Sequence, residues 1–299
     1  MPIIDANGTL LAYERYGKQG DPVVLLIMGL GAQLTYWSPD FIDALTASGR
    51  EVIAFDNRDV GLSQKWKGHH APNAIRQMLR QRLGRPTGAP YSLKDMAKDT
   101  IGLMDALELK EVDLVGVSLG GMISQFVSAM APERVRSFTG IMTTTGNPKH
   151  PKPNLKIMRG MIFRSAESQD MDSAVERTMR AYAAISTPGE NLSTNGTLKK
   201  IMDGHKRSHY PPGFKRQMAA SIESGYFIKM TKAIKAPTLV IHGSADPLVS
   251  VEGGKEIART VPGAELMIVE GMGHDMPPRF IGDISKRVIQ HMDNALVAA

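Results

Sequence analysis

Six short runs rich in valine, isoleucine and leucine recur along this chain, and they lack a polar face. Strands that are apolar on both sides are typical of a parallel sheet whose two faces are covered by helices. The runs are Val23–Ile27, Glu51–Phe55, Val112–Val117, Val135–Met142, Pro237–His242 and Ala264–Glu270. Ahead of them, Thr9–Tyr16 and a shorter run at Ile3–Asp5 flank the turn Asn7-Gly8, which predicts an antiparallel hairpin.

Longer stretches with helical spacing lie between these runs. They are Tyr91–Leu109, Leu119–Met130, Val251–Thr260 and Pro278–Leu296. Because strands and helices alternate, we expect a doubly wound, mostly parallel α/β sheet with right-handed crossovers. A chain of 299 residues is long enough to bury the core that such a sheet needs.

The alternation stops across residues 147–231, where we find no strand of the same quality. Met-rich helical patterns such as Leu155–Phe163 and Met171–Ala184 occur there, separated by proline and glycine. A helical block inserted between two sheet strands is best interpreted as a cap over one end of the sheet. We therefore expect a core domain of residues 1–146 and 232–299, with residues 147–231 forming a helical cap. A second insertion, Gly61–Pro90, contains a short amphipathic helical pattern.

Positive charge is concentrated in the two insertions. The net charge is +6 and the isoelectric point is near 9.4. Residues 60–94 hold seven basic and no acidic side chains, and residues 149–229 hold 14 basic and 7 acidic ones. The rest of the chain is therefore acidic. Few aromatic residues accompany the basic ones, so we expect a solvated basic surface and no nucleic-acid partner.

The composition and the N-terminal sequence narrow the location and the chemistry. There is no cysteine, which excludes disulfides, thiol catalysis and cysteine-bound metals. The N-terminus carries Asp5 and no sustained apolar core, unlike a secretory signal. The longest apolar stretch, PVVLLIMGLGA, is too short to cross a bilayer. We expect a cytoplasmic protein without stable membrane insertion, either a monomer or a homodimer.

The segment GVSLG, Gly116–Gly120, places a serine where a strand ends and a helix begins. This is the context in which the pattern G-x-S-x-G indicates a nucleophile. The tight turn strains the backbone of the central residue and lifts its hydroxyl clear of the sheet. The following helix also directs its first N–H groups toward a developing oxyanion. The pattern therefore predicts that Ser118 is a nucleophile.

A serine hydroxyl needs a base, and the base needs an orienting acid. Asp246 follows one predicted strand in HGSADP, and His274 follows the next in GMGHDMP. The chain order serine, aspartate, histidine and the position of each residue just beyond the carboxyl end of a strand favour a catalytic set. Asp275 is the competing acid. Asp246 is preferred because a residue adjacent to the base in sequence faces elsewhere.

The turn MGLG, Met28–Gly31, follows the first parallel strand and can direct a backbone N–H toward the same point as that of Leu119. Two such donors would form an oxyanion hole, and each is worth about 3–4 kcal/mol in comparable sites. Leu30 is our first choice for the donor from this turn, with Gly29 and Gly31 as the alternatives.

Other residues receive weaker assignments. Asp56, Arg58 and Asp59 are expected to form a structural ion-pair network, and Tyr36 and Trp37 either line a pocket or pack in the core. Five histidines are expected on the surface or in support of the site: His69, His70, His205, His209 and His242. Candidate pocket residues under the cap are Met158, Met161, Met179, Met202 and Met218, although methionine at helical spacing more commonly fills a core.

Taken together, MGLG, DNRDVGLS, GVSLGGM, HGSADPLV and GMGHDMP resemble the α/β-hydrolase superfamily over nearly the whole chain, particularly its small serine esterases of the aclacinomycin methylesterase-like group. The resemblance implies a nucleophile at Ser118, an acid at Asp246, a base at His274, oxyanion donors near Leu30 and at Leu119, and a helical cap. Met28 departs from the histidine that many members carry before the glycine, which affects substrate assignment and leaves the triad untouched.

The chemistry expected from these residues is ester hydrolysis through an acyl-enzyme, on a small-molecule ester and without a cofactor or a metal. A C–C bond hydrolase or a cofactor-free perhydrolase or haloperoxidase of the same fold is the alternative, because it would use the same three residues. Thioesters and amides also stay open. A ligand-binding protein without activity is disfavoured, because all three residues are present.

Overall fold

A computed structural model describes residues 1–155, 157–158, 160 and 170–298. Within them the strands form one eight-stranded sheet in the order β1-β2-β4-β3-β5-β6-β7-β8. β1 and β2 pair antiparallel, as does β2 with β4, and all other neighbours are parallel. The strands are β1 (Ile3–Ala6), β2 (Thr9–Tyr16), β3 (Val23–Ile27), β4 (Glu51–Phe55), β5 (Val112–Val117), β6 (Val135–Ile141), β7 (Thr238–Gly243) and β8 (Glu265–Val269).

Helices cover both faces of this sheet and bury an apolar core on each side. The described helices are α1 (Pro39–Ala47), α2 (Ala74–Arg82), α3 (Leu93–Ala106), α4 (Leu119–Met130), α5 (Met171–Ala183), α6 (Thr197–Arg207), α7 (Pro211–Ser224), α8 (Ile228–Lys232), α9 (Val251–Thr260) and α10 (Pro278–Ala298). The expected doubly wound, mostly parallel α/β sheet is therefore confirmed.

The start of α3 is set by the N-cap that the sequence predicts, Ser92. Ser92 caps the helix by accepting from the N–H of Asp95, and the Asp95 carboxylate accepts from the N–H of Ser92. This reciprocal pair satisfies two free N–H groups and fixes the first helical residue as Leu93.

The insertion before α3 contains the predicted amphipathic helix as α2, but its apolar side faces solvent. Exposed side chains on it are Ile75, Met78, Leu79 and Leu83. The buried residue is Gln77, whose amide donates to the Ala219 carbonyl of α7 and to the Thr87 hydroxyl. Polar bonds therefore orient this helix, because they satisfy the NH₂ group of a buried amide.

The helices between β6 and β7 are tied to the sheet by buried ion pairs. Arg216 of α7 binds Asp59 with 2.6 Å between Nη2 and Oδ1, and Arg207 of α6 binds Asp56 at 2.8 Å. Both aspartates follow β4, so these helices sit above the carboxyl edge of the sheet. Part of the predicted pattern Leu155–Phe163 lies outside the described residues. None of the described helices is both long enough and apolar enough to span a membrane.

Candidate active site

Ser118 lies in a strained turn between β5 and α4. Its φ of 54° and ψ of −115° are unfavourable for a residue with a side chain. The turn is held by the Ser118 N–H, which donates to the Ile141 carbonyl at 2.9 Å, and by the Thr143 hydroxyl, which donates to the Ser118 carbonyl at 2.8 Å. A Cβ on Gly120 would lie 2.0 Å from the Ile27 carbonyl oxygen, so a glycine is required there.

Three side chains from the ends of β5, β7 and β8 meet in one hydrogen-bonded line. Ser118 Oγ lies 3.0 Å from Nε2 of His274, and Nδ1 of His274 lies 2.7 Å from Oδ2 of Asp246. Because the ionised carboxylate of Asp246 only accepts, Nδ1 of the neutral ring carries the proton and Nε2 is free to accept from the serine. The geometry is therefore that of a nucleophile, a base and an orienting acid.

Asp246 is held as a carboxylate by its surroundings. Its Oδ1 accepts from the N–H groups of Leu248 at 2.9 Å and Val249 at 2.8 Å. Burial alone would raise the pKa of Asp246, but the electrostatic interaction with His274 and hydrogen bonds from His242, His274 and the Val249 backbone outweigh it and lower the pKa below its usual range.

His242 lies next to the carboxylate of Asp246. It is completely buried at the end of β7, and its Nε2 lies 3.3 Å from Asp246 Oδ2 and 2.9 Å from the Val249 carbonyl. Its Nδ1 has no hydrogen-bond partner among the described residues. A Cβ on Gly254 would lie 2.6 Å from that nitrogen, so α9 closes over the imidazole ring.

Asp275, the competing acid, is bound by the loop between α5 and α6. Its Oδ1 accepts from the backbone N–H of Thr187 at 2.9 Å and from the Thr187 hydroxyl at 2.5 Å. Burial raises the pKa of Asp275. The backbone N–H of His274 donates to the carbonyl oxygen of Ile185 at 2.8 Å. Asp275 therefore braces the loop that carries His274, while Asp246 orients the ring.

Two backbone N–H groups next to Ser118 are available to a ligand. Leu119 is the first residue of α4, so its N–H has no acceptor within the helix. A Cβ on Gly29 would lie 3.3 Å from Ser118 Cβ, so the turn after β3 passes close to the serine. The Gly31 N–H donates to Gln217 Oε1 at 2.8 Å, which removes Gly31 from the alternatives and leaves Leu30 and Gly29.

A cavity of about 140 Å³ opens at Ser118 and His274. It continues into an outer recess of about 490 Å³, with Tyr36, Ser38, Tyr182 and Lys200 among the residues that line both. Apolar side chains form most of the inner wall: Met28, Leu30, Ala32, Val117, Met142, Ile185, Leu248 and Met276.

The five methionines expected under the cap do not provide this wall. Met158 and Met202 are exposed, Met179 lines surface recesses, and Met218 is absent from the cavity lining. Met161 lies outside the described residues. The candidate role in the cavity wall is therefore wrong for the four described residues, and Met158 and Met202 do not fill a core either. Methionine does line the cavity, from Met28, Met142 and Met276 at strand ends and loops.

The aromatic pair after Met28–Gly31, the predicted oxyanion turn, divides between lining a pocket and packing in the core. Tyr36 lines the cavity, whereas Trp37 is buried and stacks on Phe41 with 5.5 Å between ring centroids. Asp56, Arg58 and Asp59 form ion pairs as expected, although none pairs with another. Their partners are Arg207, Asp99 and Arg216.

Several residues of the site carried no recognisable signal in the sequence. Gln217 and Thr187 reach the oxyanion turn and the histidine loop from the inserted segment, about 190 and 90 residues away along the chain. Lys200 and Tyr182 enter the cavity from two different helices. Their contribution depends on how the insertion folds over the sheet, which local pattern does not encode.

The sheet topology and the serine turn define an α/β hydrolase. Residues 22–277 match the family described as alpha/beta hydrolase fold, and the chain belongs to that family. Among curated proteins it is similar to rhodomycin D methylesterase DauP of Streptomyces sp. (strain C5), with 22% identity over 99% of both chains.

Two solved structures show the same fold. One is the enol-lactonase from Burkholderia xenovorans LB400, with a TM-score of 0.76, 20% identity and coverage of 98% of this chain and 100% of that one. The other is a meta-cleavage product hydrolase from Pseudomonas fluorescens IP01, with a TM-score of 0.76, 18% identity and coverage of 99% and 98%.

Proposed function

We propose that this protein is a serine hydrolase that cleaves small to medium carboxylic esters through an acyl-enzyme intermediate. The observation that carries the proposal is the line from Asp246 through His274 to Ser118, which ends at a cavity. The likeness to a methylesterase and to an enol-lactonase supports an ester as the substrate, since a lactone is a cyclic ester.

The proposed reaction begins when Nε2 of His274 takes the proton of Ser118 and Oγ attacks the ester carbonyl. Asp246, kept ionised by its hydrogen bonds, stabilises the imidazolium that forms. The N–H groups of Leu30 and Leu119 receive the oxyanion. His274 then protonates the departing alcohol, and water activated by the same ring releases the acid.

We also propose that residues 147–231 act as the lid of the site. The inner cavity of about 140 Å³ is close to the volume of roughly 150 Å³ that holds a benzene molecule in an engineered protein core. The group of the ester that enters this cavity is therefore small and apolar, and the larger part of the substrate extends into the outer recess.

The test compares Ser118→Ala with Ser128→Ala on a panel of p-nitrophenyl esters. Ser128 is a buried serine of the same helix whose hydroxyl has no partner among the described residues. We expect the Ser118 variant to lose at least about a thousandfold in kcat, as for other triad removals, while the Ser128 variant keeps its activity. A fluorophosphonate probe should label Ser118, as read by peptide mass spectrometry.

Retention of one-tenth or more of the activity by Ser118→Ala would reject the nucleophile. A vinylogous diketone and a peracid-formation assay run alongside test the C–C hydrolase and perhydrolase alternatives. If the enzyme cleaves the diketone or forms a peracid faster than it hydrolyses every ester, the proposed substrate class is replaced. The same three residues would still carry the reaction.

A further inference from the structure

Lys200 places a cationic side chain in the wall of a cavity whose other acidic or basic lining residues, among those described, are His274 and Asp275, and Oδ1 of Asp275 is bound by Thr187. It lies in the first turn of α6 and lines both the inner cavity at Ser118 and the outer recess. Its Nζ donates to the carbonyl oxygen of Tyr36 at 3.1 Å. The ammonium is therefore fixed at the passage between the two spaces, where a substrate bound at Ser118 has to pass.

The charge of Lys200 is not balanced by an ion pair with any described carboxylate, in contrast to other cations of the same helix. Lys199 pairs with Asp203 at 2.5 Å, and Arg207 pairs with Asp56 at 2.8 Å. The carboxylate that acts on Lys200 from a distance is the exposed Asp40. Burial lowers the pKa of Lys200, as expected for a cation that has lost part of its hydration.

Ser38 adds a second donor beside Lys200. It lies at the N-cap of α1, yet its hydroxyl makes no capping bond and no hydrogen bond to the described residues. Ser38 lines the same two spaces as Lys200. A hydroxyl and an ammonium at one passage suit a ligand group with two acceptor oxygens and a negative charge, because hydrogen bonds to an ionised acceptor are the strong ones.

We propose that Lys200 and Ser38 form a carboxylate subsite, and that the preferred substrates are esters carrying a second, ionised carboxylate, such as monoesters of aliphatic dicarboxylic acids. This inference rests on the proposed ester hydrolysis at Ser118. The subsite takes no part in bond breaking: Lys200 holds the distal carboxylate, while Oγ of Ser118 attacks the ester carbonyl and the alcohol leaves.

The fixed spacing between the subsite and the serine also predicts a preference for one chain length. A distal carboxylate reaches Lys200 only when the acyl chain spans the inner cavity, and shorter or longer chains lose the contact or bend. The anionic substrates should therefore show an optimum in kcat/KM that neutral esters of the same lengths lack.

The experiment measures kcat/KM, by release of methanol, for monomethyl succinate, glutarate, adipate, pimelate and suberate and for the dimethyl ester of each acid. Each pair has the same acyl length and differs in the distal charge. We compare the wild type with Lys200→Met, Lys200→Arg and Ser38→Ala. Lys206→Met serves as the control, because Lys206 lies on the same helix, carries the same charge and is exposed away from the cavity.

The wild type should prefer the monoester by about 10- to 100-fold at the best chain length, the range expected for a hydrogen bond to a charged group. Lys200→Met should abolish this preference by lowering kcat/KM for the monoesters alone. Lys200→Arg should retain part of it, and Ser38→Ala should reduce it several-fold. Lys206→Met should behave as the wild type, which separates a local contact from a change in net charge.

A monoester-to-diester ratio that Lys200→Met leaves unchanged would overturn the subsite while leaving the proposed hydrolysis intact. If no ester is turned over, the proposed hydrolysis has failed, and binding decides the subsite separately. Calorimetric titration of the Ser118→Ala variant with monomethyl adipate should give an affinity that falls at least about tenfold when Lys200→Met is added. Equal affinity in the two proteins would end the inference.

Discussion

The carboxyl edge of the sheet and the helices inserted between β6 and β7 build the site in different ways. At the sheet edge each chemical group is fixed by the backbone: the Ser118 N–H is bound by the Ile141 carbonyl, and Asp246 by two backbone N–H groups. The inserted helices supply side chains from separate elements, such as Lys200 and Gln217. The strand ends thus set Ser118 and Asp246, whereas the insertion lines the cavity and also holds the loop that carries His274.

The largest effect should come from a change at the sheet edge that leaves its shape intact. We expect Asp246→Asn to lower kcat by about ten-thousandfold, because an amide stabilises the wrong tautomer of His274 and no longer balances the imidazolium. Asp283→Asn, an exposed change on α10, is the control. Steady-state ester hydrolysis measures both, and a loss of less than tenfold for Asp246→Asn would show that another group orients the base.

The serine turn should also be intolerant of a single methyl group. Gly120→Ala would place its Cβ 2.0 Å from the Ile27 carbonyl oxygen, and we expect it to lower the free energy of unfolding by about 3 kcal/mol, the upper end for overpacking. Gly282→Ala, in α10 with open space around it, should be stabilising by up to about 1 kcal/mol. Urea unfolding measures both. Equal stability of the two variants would show that the turn is adaptable.

The sheet edge was also the part that the sequence made predictable. The bounds of β3, β4 and β5 match the predicted runs, because strands buried on both faces are continuous apolar runs between turns. The cavity residues of the insertion were not predictable. A periodic methionine indicates which face of a helix is apolar, but not whether that face meets the core, a cavity or solvent. In α2, likewise, the apolar face that the spacing predicts is exposed to solvent.

A moderate effect should follow where the insertion reaches into the sheet edge. Gln217 accepts from the Gly31 N–H and donates to the Arg58 carbonyl at 2.8 Å, so it holds the oxyanion turn. We expect Gln217→Leu to lower kcat about tenfold with little change in KM, because an unpaired buried N–H costs about 1–3 kcal/mol and the turn relaxes. Gln290→Leu, exposed on α10, is the control. An equal rise in KM would indicate a substrate contact instead.

The smallest effect should come from the second acid of the histidine loop. We expect Asp275→Asn to lower kcat by less than about tenfold, because an amide oxygen still accepts from Thr187. Because the pKa of Asp275 is raised, its carboxylate binds a proton more readily in the folded protein than in the unfolded chain. The stability of the wild type relative to Asp275→Asn should therefore rise as the pH falls from neutral toward about 4.

Thermal unfolding of both proteins across that pH range measures the difference. If the stability of the wild type relative to Asp275→Asn falls as the pH is lowered, the pKa of Asp275 is not raised in the folded protein. A loss of activity as large as that of Asp246→Asn would instead give Asp275 a part in orienting the base.

The contact between Ile185 and His274 has a consequence for exchanging the segment between β6 and β7 with that of another α/β hydrolase. The carbonyl of Ile185 and the side chain of Thr187 hold the backbone of the loop that carries the general base of the proposed mechanism. A chimera that replaces the whole insertion would remove these supports along with the substrate walls. A transplanted insertion will need to keep the contacts of Ile185 and Thr187 if the loop of His274 is to hold its place.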